Sequence, residues 1–480
     1  MAAVLAWLGL FWSGPFVNDA AWQIWIGRQL NHGADLYIDI LEVNPPLWFW
    51  GGALVAGAAD AIGISGFDVL KLAFCLAALA SIMLIRPLMP DPLERILVYG
   101  ALVFVLALTS RSAFLQREQF TLIAALPYVV LAARQAERRT VSLPLSLVIG
   151  VFAAMGFALK HYFALVPLAL FVWLTWQRGR FVVPPELWAL AAAGLTYGVA
   201  IPLLTPEYLT TMLPMIRLAY SEFEADLVAQ IANPGFAGCV AAFLGLIFSG
   251  RRRSAIADPA LIAGCVFLLA YFLQAKAFFY HLVPALGMLG VAVAADLGAR
   301  FAERRPSLRD VPALTGFLLL VFLSAVQTTQ WSAEPDAASA VRGLPRGASV
   351  MMLTASGGSM WPLVEERGLV HPSRHMFFWM LRPIQTNPNN RRMRELADEV
   401  REQTADDLEC TPPDLILVDT RDGVVPGDWL ISFFEASPRL NAIMKRYRSG
   451  PRIGPYTSLR RDAVATRKCR AIIPAPSFSK

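Results

Sequence analysis

From Met1 to about Thr329 the chain is a succession of apolar stretches, each about 15–20 residues long, separated by short polar loops. A helix of about that length covers the roughly 30 Å hydrocarbon core of a bilayer. Composition agrees, with 56% of the residues hydrophobic and only 16% charged. Soluble domains typically carry about 45–50% and about 25%. An ordinary soluble enzyme, a disordered chain and a secreted disulfide scaffold are excluded. The formal charge of +6 does not point to nucleic acid, because most arginines flank apolar stretches, where they set topology. The chain opens directly in an apolar run, residues 2–12, without the basic residues of a signal peptide.

After Trp331 charges become frequent and no apolar run is long enough to span. Residues 1–330 are therefore expected to form a transmembrane domain and 331–480 a small C-terminal α/β domain. Within the latter, 349–354 and 414–420 read as buried strands, and 359–367 and 428–434 as helices. Cys75, Cys239 and Cys265 sit in apolar stretches as packing residues, whereas Cys410 and Cys469 lie in the tail and are candidates for pairing.

Candidate spans are 312–326, 282–297, 259–272, 235–248, 187–204, 162–176, 143–159 and 119–133, preceded by 46–64, 68–85 and 94–109. Alternate loops carry Arg300, Arg304, Arg305 and Arg309; Arg251, Arg252 and Arg253; Arg178 and Arg180; and Arg134, Arg138 and Arg139. Arginine collects on the cytoplasmic side, so the other loops and the tail are expected outside. Parity is not settled by charge: the count is about ten to twelve spans, with 46–64 the segment expected to lie at the interface or re-enter. The expected location is the plasma (inner) membrane, with many passes.

This orientation puts the unusual polar residues on one face: Asn18, Asp19, Asp35, Asp39, Glu42, Asn44, Arg111, Gln116, Arg117, Glu118, Lys160, His161, Gln274, Lys276, Tyr280 and His281. The only lysines are Lys71, Lys160, Lys276, Lys445, Lys468 and Lys480. Two of these few stand at the outer ends of apolar helices. A charge at the centre of a bilayer costs about 2.5–3.5 kcal/mol on insertion scales, which makes such residues functional candidates. One isolated lysine would be read as snorkelling to the surface. Two, each next to or near a histidine and on the side of a carboxylate cluster, suggest one extracytoplasmic site for an anion and a base.

The segment Asn18-Asp19-Ala20-Ala21-Trp22, then Gly33-Ala34-Asp35-Leu36-Tyr37-Ile38-Asp39, then Asn44-Pro45-Pro46-Leu47, resembles the first external loop of GT-C glycosyltransferases. These multi-helix membrane enzymes use polyprenyl-phosphate-linked sugars and include the protein mannosyltransferases and the aminoarabinose transferase of lipid A. Gln116-Arg117-Glu118-Gln119 resembles the next external motif, and Gln274-Ala275-Lys276 with Tyr280-His281-Leu282-Val283-Pro284 a later one. Where many relatives carry Asp-Glu, this chain has Asp19-Ala20.

The resemblance implies an α-helical polytopic fold and an acidic general base just after the first helix, here Asp19. Such a base takes the proton of an acceptor hydroxyl as it attacks the sugar, a contribution of about 10²–10⁴-fold. The leaving phosphate needs fixed cations. Lys160, His161, Lys276, Tyr280, His281 and Arg117 are the expected donor-phosphate set, with arginine able to hold phosphate bidentately. Asp39, Glu42, Asn44 and Glu118 could bind sugar or acceptor hydroxyls or a divalent cation, and no other cofactor is expected. Expected partners are the bilayer, a polyprenyl-phosphate-linked sugar, and an extracytoplasmic glycan, lipid or protein acceptor, with no nucleic acid. The alternatives are a lipid-linked saccharide transporter or flippase, and a polyprenyl-diphosphate glycan polymerase or ligase. In the tail, the aromatic and basic stretch 374–382 could stack on sugar rings or pack in a core, and His371 and His375, separated by Pro372, do not read as a zinc pair.

Overall fold

The computed structural model describes residues 18–101, 114–250, 254–303, 307–326, 335–358 and 360–461. The expected segment 2–12 and the second half of 94–109 lie outside them. The chain is mostly helical. Among the described residues, five helices are long and apolar enough to cross a membrane: Gly66–Leu88, Pro185–Leu204, Ala257–Gln274, Phe279–Glu303 and Leu308–Val326. Leu47–Ile62, Leu143–Phe157 and Pro234–Phe248 are apolar but shorter. Helices suit such sequences because each satisfies its own backbone groups where no water is available.

The described residues divide into two compact units. One contains Leu70–Ala200 and Glu224–Gln330, the other Phe16–Val69, Ile201–Phe223 and Trp331–Lys480. The expected boundary at residue 330 is one of the points where the chain passes between units. The tail, however, shares its unit with the first loop instead of standing alone.

In the first unit the helix Arg117–Ala136 is buried along nearly its whole length, as is Phe279–Glu303. A helix that is apolar on every side belongs in a core. Pro234–Phe248 and Val311–Val326 touch backbone to backbone: a β-carbon on Gly245 would lie 2.6 Å from the Pro312 carbonyl oxygen, and one on Gly316 would lie 2.4 Å from that of Ala241. Small residues at such crossings gain van der Waals packing where no hydrophobic drive acts between helices.

In the second unit the helices Asn18–Asn31 and Leu47–Ile62 are equally close. A β-carbon on Gly27 would sit 2.2 Å from the Gly52 carbonyl carbon. The tail holds a sheet of β1 (Val350–Leu353), β2 (Leu415–Asp419), β3 (Tyr447–Ile453) and β4 (Tyr456–Arg461), in the order β1-β2-β4-β3. β1 and β2 are parallel, which requires a crossover; Leu363–Arg367, Leu381–Thr386 and Arg391–Cys410 lie within it. β1 and β2 fall where alternation-free apolar runs put them. The helix expected from residue 359 starts instead at Leu363, because Pro362 disfavours helical backbone in the residue before it.

The tail is joined to the first loop by more than packing. Leu41 N–H donates to the Arg374 carbonyl at 2.9 Å, beside a bridge between Leu41 and His375. Trp22 and Trp25 stack at 4.8 Å, and Trp361 and His371 stand edge-on to both. Phe378 and Trp379 are buried, against Phe434 and against Tyr220 and Phe223 respectively. Of the two readings of 374–382, core packing is the one these two rings follow.

Candidate functional site

The first unit gathers charge at the ends of its apolar helices. Glu118, in the first turn of Arg117–Ala136, is completely buried. Lys160, in extended backbone between Leu143–Phe157 and the turn 161–164, puts Nζ 2.5 Å from Glu118 Oε1. The same ammonium donates to Gln274 Oε1 at 2.6 Å and lies 5.8 Å from the Tyr280 ring centroid, within cation–π range. His281 Nε2 is 3.8 Å from Glu118 Oε1, and the Tyr280 ring meets the His281 ring edge-on at 4.4 Å. The charges of Lys160, Arg117 and Lys276 all act on the His281 ring. Lys160 and His281 thus meet one buried carboxylate, Arg117 and Lys276 act on the same histidine, and exposed Glu224 acts on Lys276.

Lys276 is half-buried, and burial pulls its ammonium pKa down to about 8, with Glu224 opposing the change. Of the expected donor-phosphate set, the structure brings Arg117, Lys160, Lys276, Tyr280 and His281 together. His161 is exposed against Tyr162 at 3.8 Å and feels the charge of Lys160 beside it. Glu118, expected among sugar or metal ligands, pairs with Lys160.

The second unit carries the carboxylates. Asp19 is half-buried in the first turn of Asn18–Asn31, where the helix dipole favours an acid. Trp22, three residues on and therefore on the same face, donates Nε1–H to Glu42 Oε2 at 2.5 Å. Glu42, also buried, accepts the Asn44 N–H at 2.9 Å and Nδ2–H at 2.6 Å. Three donors fix this carboxylate's orientation. The Tyr37 hydroxyl donates to the Asn44 carbonyl at 2.7 Å, and its ring lies 5.1 Å from Tyr208. Asp39 accepts the Asp35 N–H at 2.8 Å and so closes its own turn.

No group of three His, Cys, Asp or Glu side chains is placed to hold a metal ion among the described residues. Glu42 is engaged by indole and amide donors, the wrong partners for a metal ligand, so the site gives no support to the divalent cation. His371 and His375 are buried in the tail, and burial pulls their pKa values down to about 4 and about 3. His371 Nε2 meets the His375 carbonyl at 2.8 Å. Both act as neutral core residues.

Arg28 is an ion-pair centre whose partners here, Asp60 and Glu365, sequence reading did not identify. It meets Asp60 at 3.3 Å and Glu365 at 2.7 Å. Asp60 was detectable as a lone charge in an otherwise apolar helix; Glu365, far along the chain, carried no such signal. Burial pushes the Glu365 pKa up, and Arg28 opposes it. Cys410 is disulfide-bonded; Cys469, its expected partner, lies outside the described residues. No protein-family model matches the chain, and no curated protein does.

Proposed function

We propose that this chain is a membrane glycosyltransferase of the GT-C type, moving one sugar from a polyprenyl-phosphate donor to an extracytoplasmic glycan, lipid or protein acceptor. The observation that carries the reading is the gathering of Lys160, paired with Glu118, and of Arg117 and Lys276, whose charges act on His281, at the ends of apolar helices. Three cations beside two carboxylates, Glu118 and Glu224, suit an anion, and a lipid phosphate arrives at that kind of helix end from the bilayer. Lys160 pairs with Glu118 and ties the helix ends together; Arg117 and Lys276 are further candidates to meet phosphate oxygens.

In the proposed reaction Asp19 takes the acceptor hydroxyl proton as its oxygen bonds to the anomeric carbon. The bond from that carbon to the phosphate oxygen breaks, and the electron pair leaves with polyprenyl phosphate. The added negative charge meets preorganised cations, which stabilises the transition state more than the bound substrate. An extracytoplasmic tail is supported by the arginine-bearing loops and by bonded Cys410, since disulfides persist in oxidising compartments.

The test is a titration of the purified full chain with a short-chain polyprenyl phosphate, beside a transfer assay that follows sugar release from the lipid. Lys276→Met should weaken donor binding about tenfold, the loss of one charged hydrogen bond, and leave acceptor binding unchanged. Unchanged donor affinity in both Lys276→Met and Lys160→Met would remove the phosphate role. Movement of the sugar-lipid across a vesicle membrane with no bond cleaved would identify a transporter instead.

A further inference from the structure

The turn that carries Lys276 is strained on both sides. Ala275 and Ala277 have left-handed backbone, at φ 49° and 52°. A β-carbon is crowded in that region, which glycine or asparagine normally occupies. Two such alanines in three residues persist only where their surroundings over-determine them.

Both strained residues are tied to one neighbouring segment. Ala225 N–H donates to the Ala275 carbonyl at 2.6 Å. Asn233 Nδ2–H donates to the Ala277 carbonyl at 3.1 Å. Asn233 is buried and itself anchored, because its Oδ1 accepts the Gly235 N–H at 2.9 Å and caps the helix Pro234–Phe248. Ala225 is held in turn by Gln230, whose Nε2 donates to its carbonyl at 2.9 Å, and the Tyr271 hydroxyl donates to the Gln230 carbonyl at 2.9 Å. The titratable groups coupled to Lys276 are Glu224 from this segment and His281 from the turn that follows.

We propose that Asn233 is a positioning residue for the anion site. Its oxygen caps a helix while its nitrogen clips residues 275–277 into the turn that sets where the Lys276 ammonium stands. The inference rests on reading Lys276 as a donor-phosphate ligand, although the clip can be tested without it. With the clip closed, the ordering cost of Lys276 is met during folding, so a phosphate encounters a fixed ammonium.

Asn233→Ser separates the two roles, since serine caps about as well as asparagine but has no amide to reach Ala277. In the full chain, reconstituted in lipid nanodiscs, thermal unfolding should match the unmodified protein. Acylation of Lys276 by a water-soluble ester, followed by mass spectrometry, should change in rate while exposed Lys445 does not. Affinity for a short-chain polyprenyl phosphate should fall about tenfold, the equivalent of releasing one strained residue. Adding Ala277→Gly removes the steric cost at φ 52° and should recover at least part of both effects. Asn233→Asp, isosteric and still able to cap, should repeat the loss if the serine variant folds poorly.

Unchanged Lys276 acylation in both Asn233 variants would overturn the proposal. So would a double variant that binds more weakly than Asn233→Ser alone, because strain would then not be what Asn233 opposes. A rescued shift in acylation with unaltered polyprenyl-phosphate affinity would uphold the clip and overturn the donor-site reading.

Discussion

Buried charge is held differently in the two units. In the first, Lys160 bridges Glu118 and Gln274 between separate apolar helices, and Arg117 and Lys276 act on the neighbouring His281. In the second, residues 18–69 carry mainly carboxylates: Asp19, Asp39, Glu42 and Asp60, with Glu365 from the tail, share a unit in which Arg28 is the buried cation pairing two of the five. Aromatic rings and indole or amide donors, not counter-ions, fix Glu42. A cluster with more cations than carboxylates suits an anion; the Glu42 carboxylate is held in one orientation by three donors. Under the proposed function, leaving-group stabilisation would fall to the first unit and proton acceptance to the second.

The sharpest way to break that division is Asp19→Asn. It should lower the transfer rate by about 10²–10⁴-fold, the range for general-base catalysis, with donor affinity unchanged in the same titration. Normal turnover would take proton acceptance away from the second unit.

Arg28→Met comes next. Removing one partner of a buried ion pair costs about 3–5 kcal/mol, here because Glu365 is left without its cation. Denaturant unfolding followed by the fluorescence of Trp22, Trp25 and Trp361 should report the loss, and Glu365→Gln in the same chain should return part of it. If stability is unchanged, charge pairing does not hold this unit together. A chain stopped after Gln330 would likewise strip Arg28 of Glu365, and Trp22 and Trp25 of Trp361. Tail removal therefore acts on the helix that carries Asp19.

Gly27→Ala should destabilise the same unit by about 1–3 kcal/mol, the usual cost of overpacking, since its β-carbon would meet the Gly52 backbone. A neutral result by the same unfolding measurement would mean that the two helices can separate freely. The smallest effect belongs to pH. With the Lys276 pKa pulled down to about 8 by burial, its charge is present below that value and lost above it. Donor affinity should fall by up to about tenfold between roughly pH 7 and pH 9, and Lys276→Met should flatten the profile. A profile unchanged by the substitution would exclude Lys276 from the phosphate.

Helices were the most legible part of the chain, because an apolar run of sufficient length leaves its backbone no other stable form in a bilayer. The expected 235–248 and 312–326 are found as Pro234–Phe248 and Val311–Val326, and 119–133 as the core of Arg117–Ala136. The helix Arg391–Cys410 was readable but passed over: Met393, Leu396, Ala397, Val400, Thr404 and Leu408 form a buried stripe at helical spacing inside a charged sequence. The hairpin of β3 and β4 was less so, since its strands carry glycine, proline and arginine and are ordered by pairing with β2.

Sequence alone determined which residue types were out of place: scarce lysines at helix ends, histidines beside them, and carboxylates in one loop. Their cost in apolar surroundings marks them without any coordinates. Partnership was decided only by the tertiary structure. Lys160 and Glu118 are 42 positions apart and Arg28 and Glu365 are 337 apart, and no local pattern encodes a contact across such separations. The same holds for Asn233, an ordinary helix cap by sequence, whose second hydrogen bond exists because packing brings a strained turn within reach of its amide.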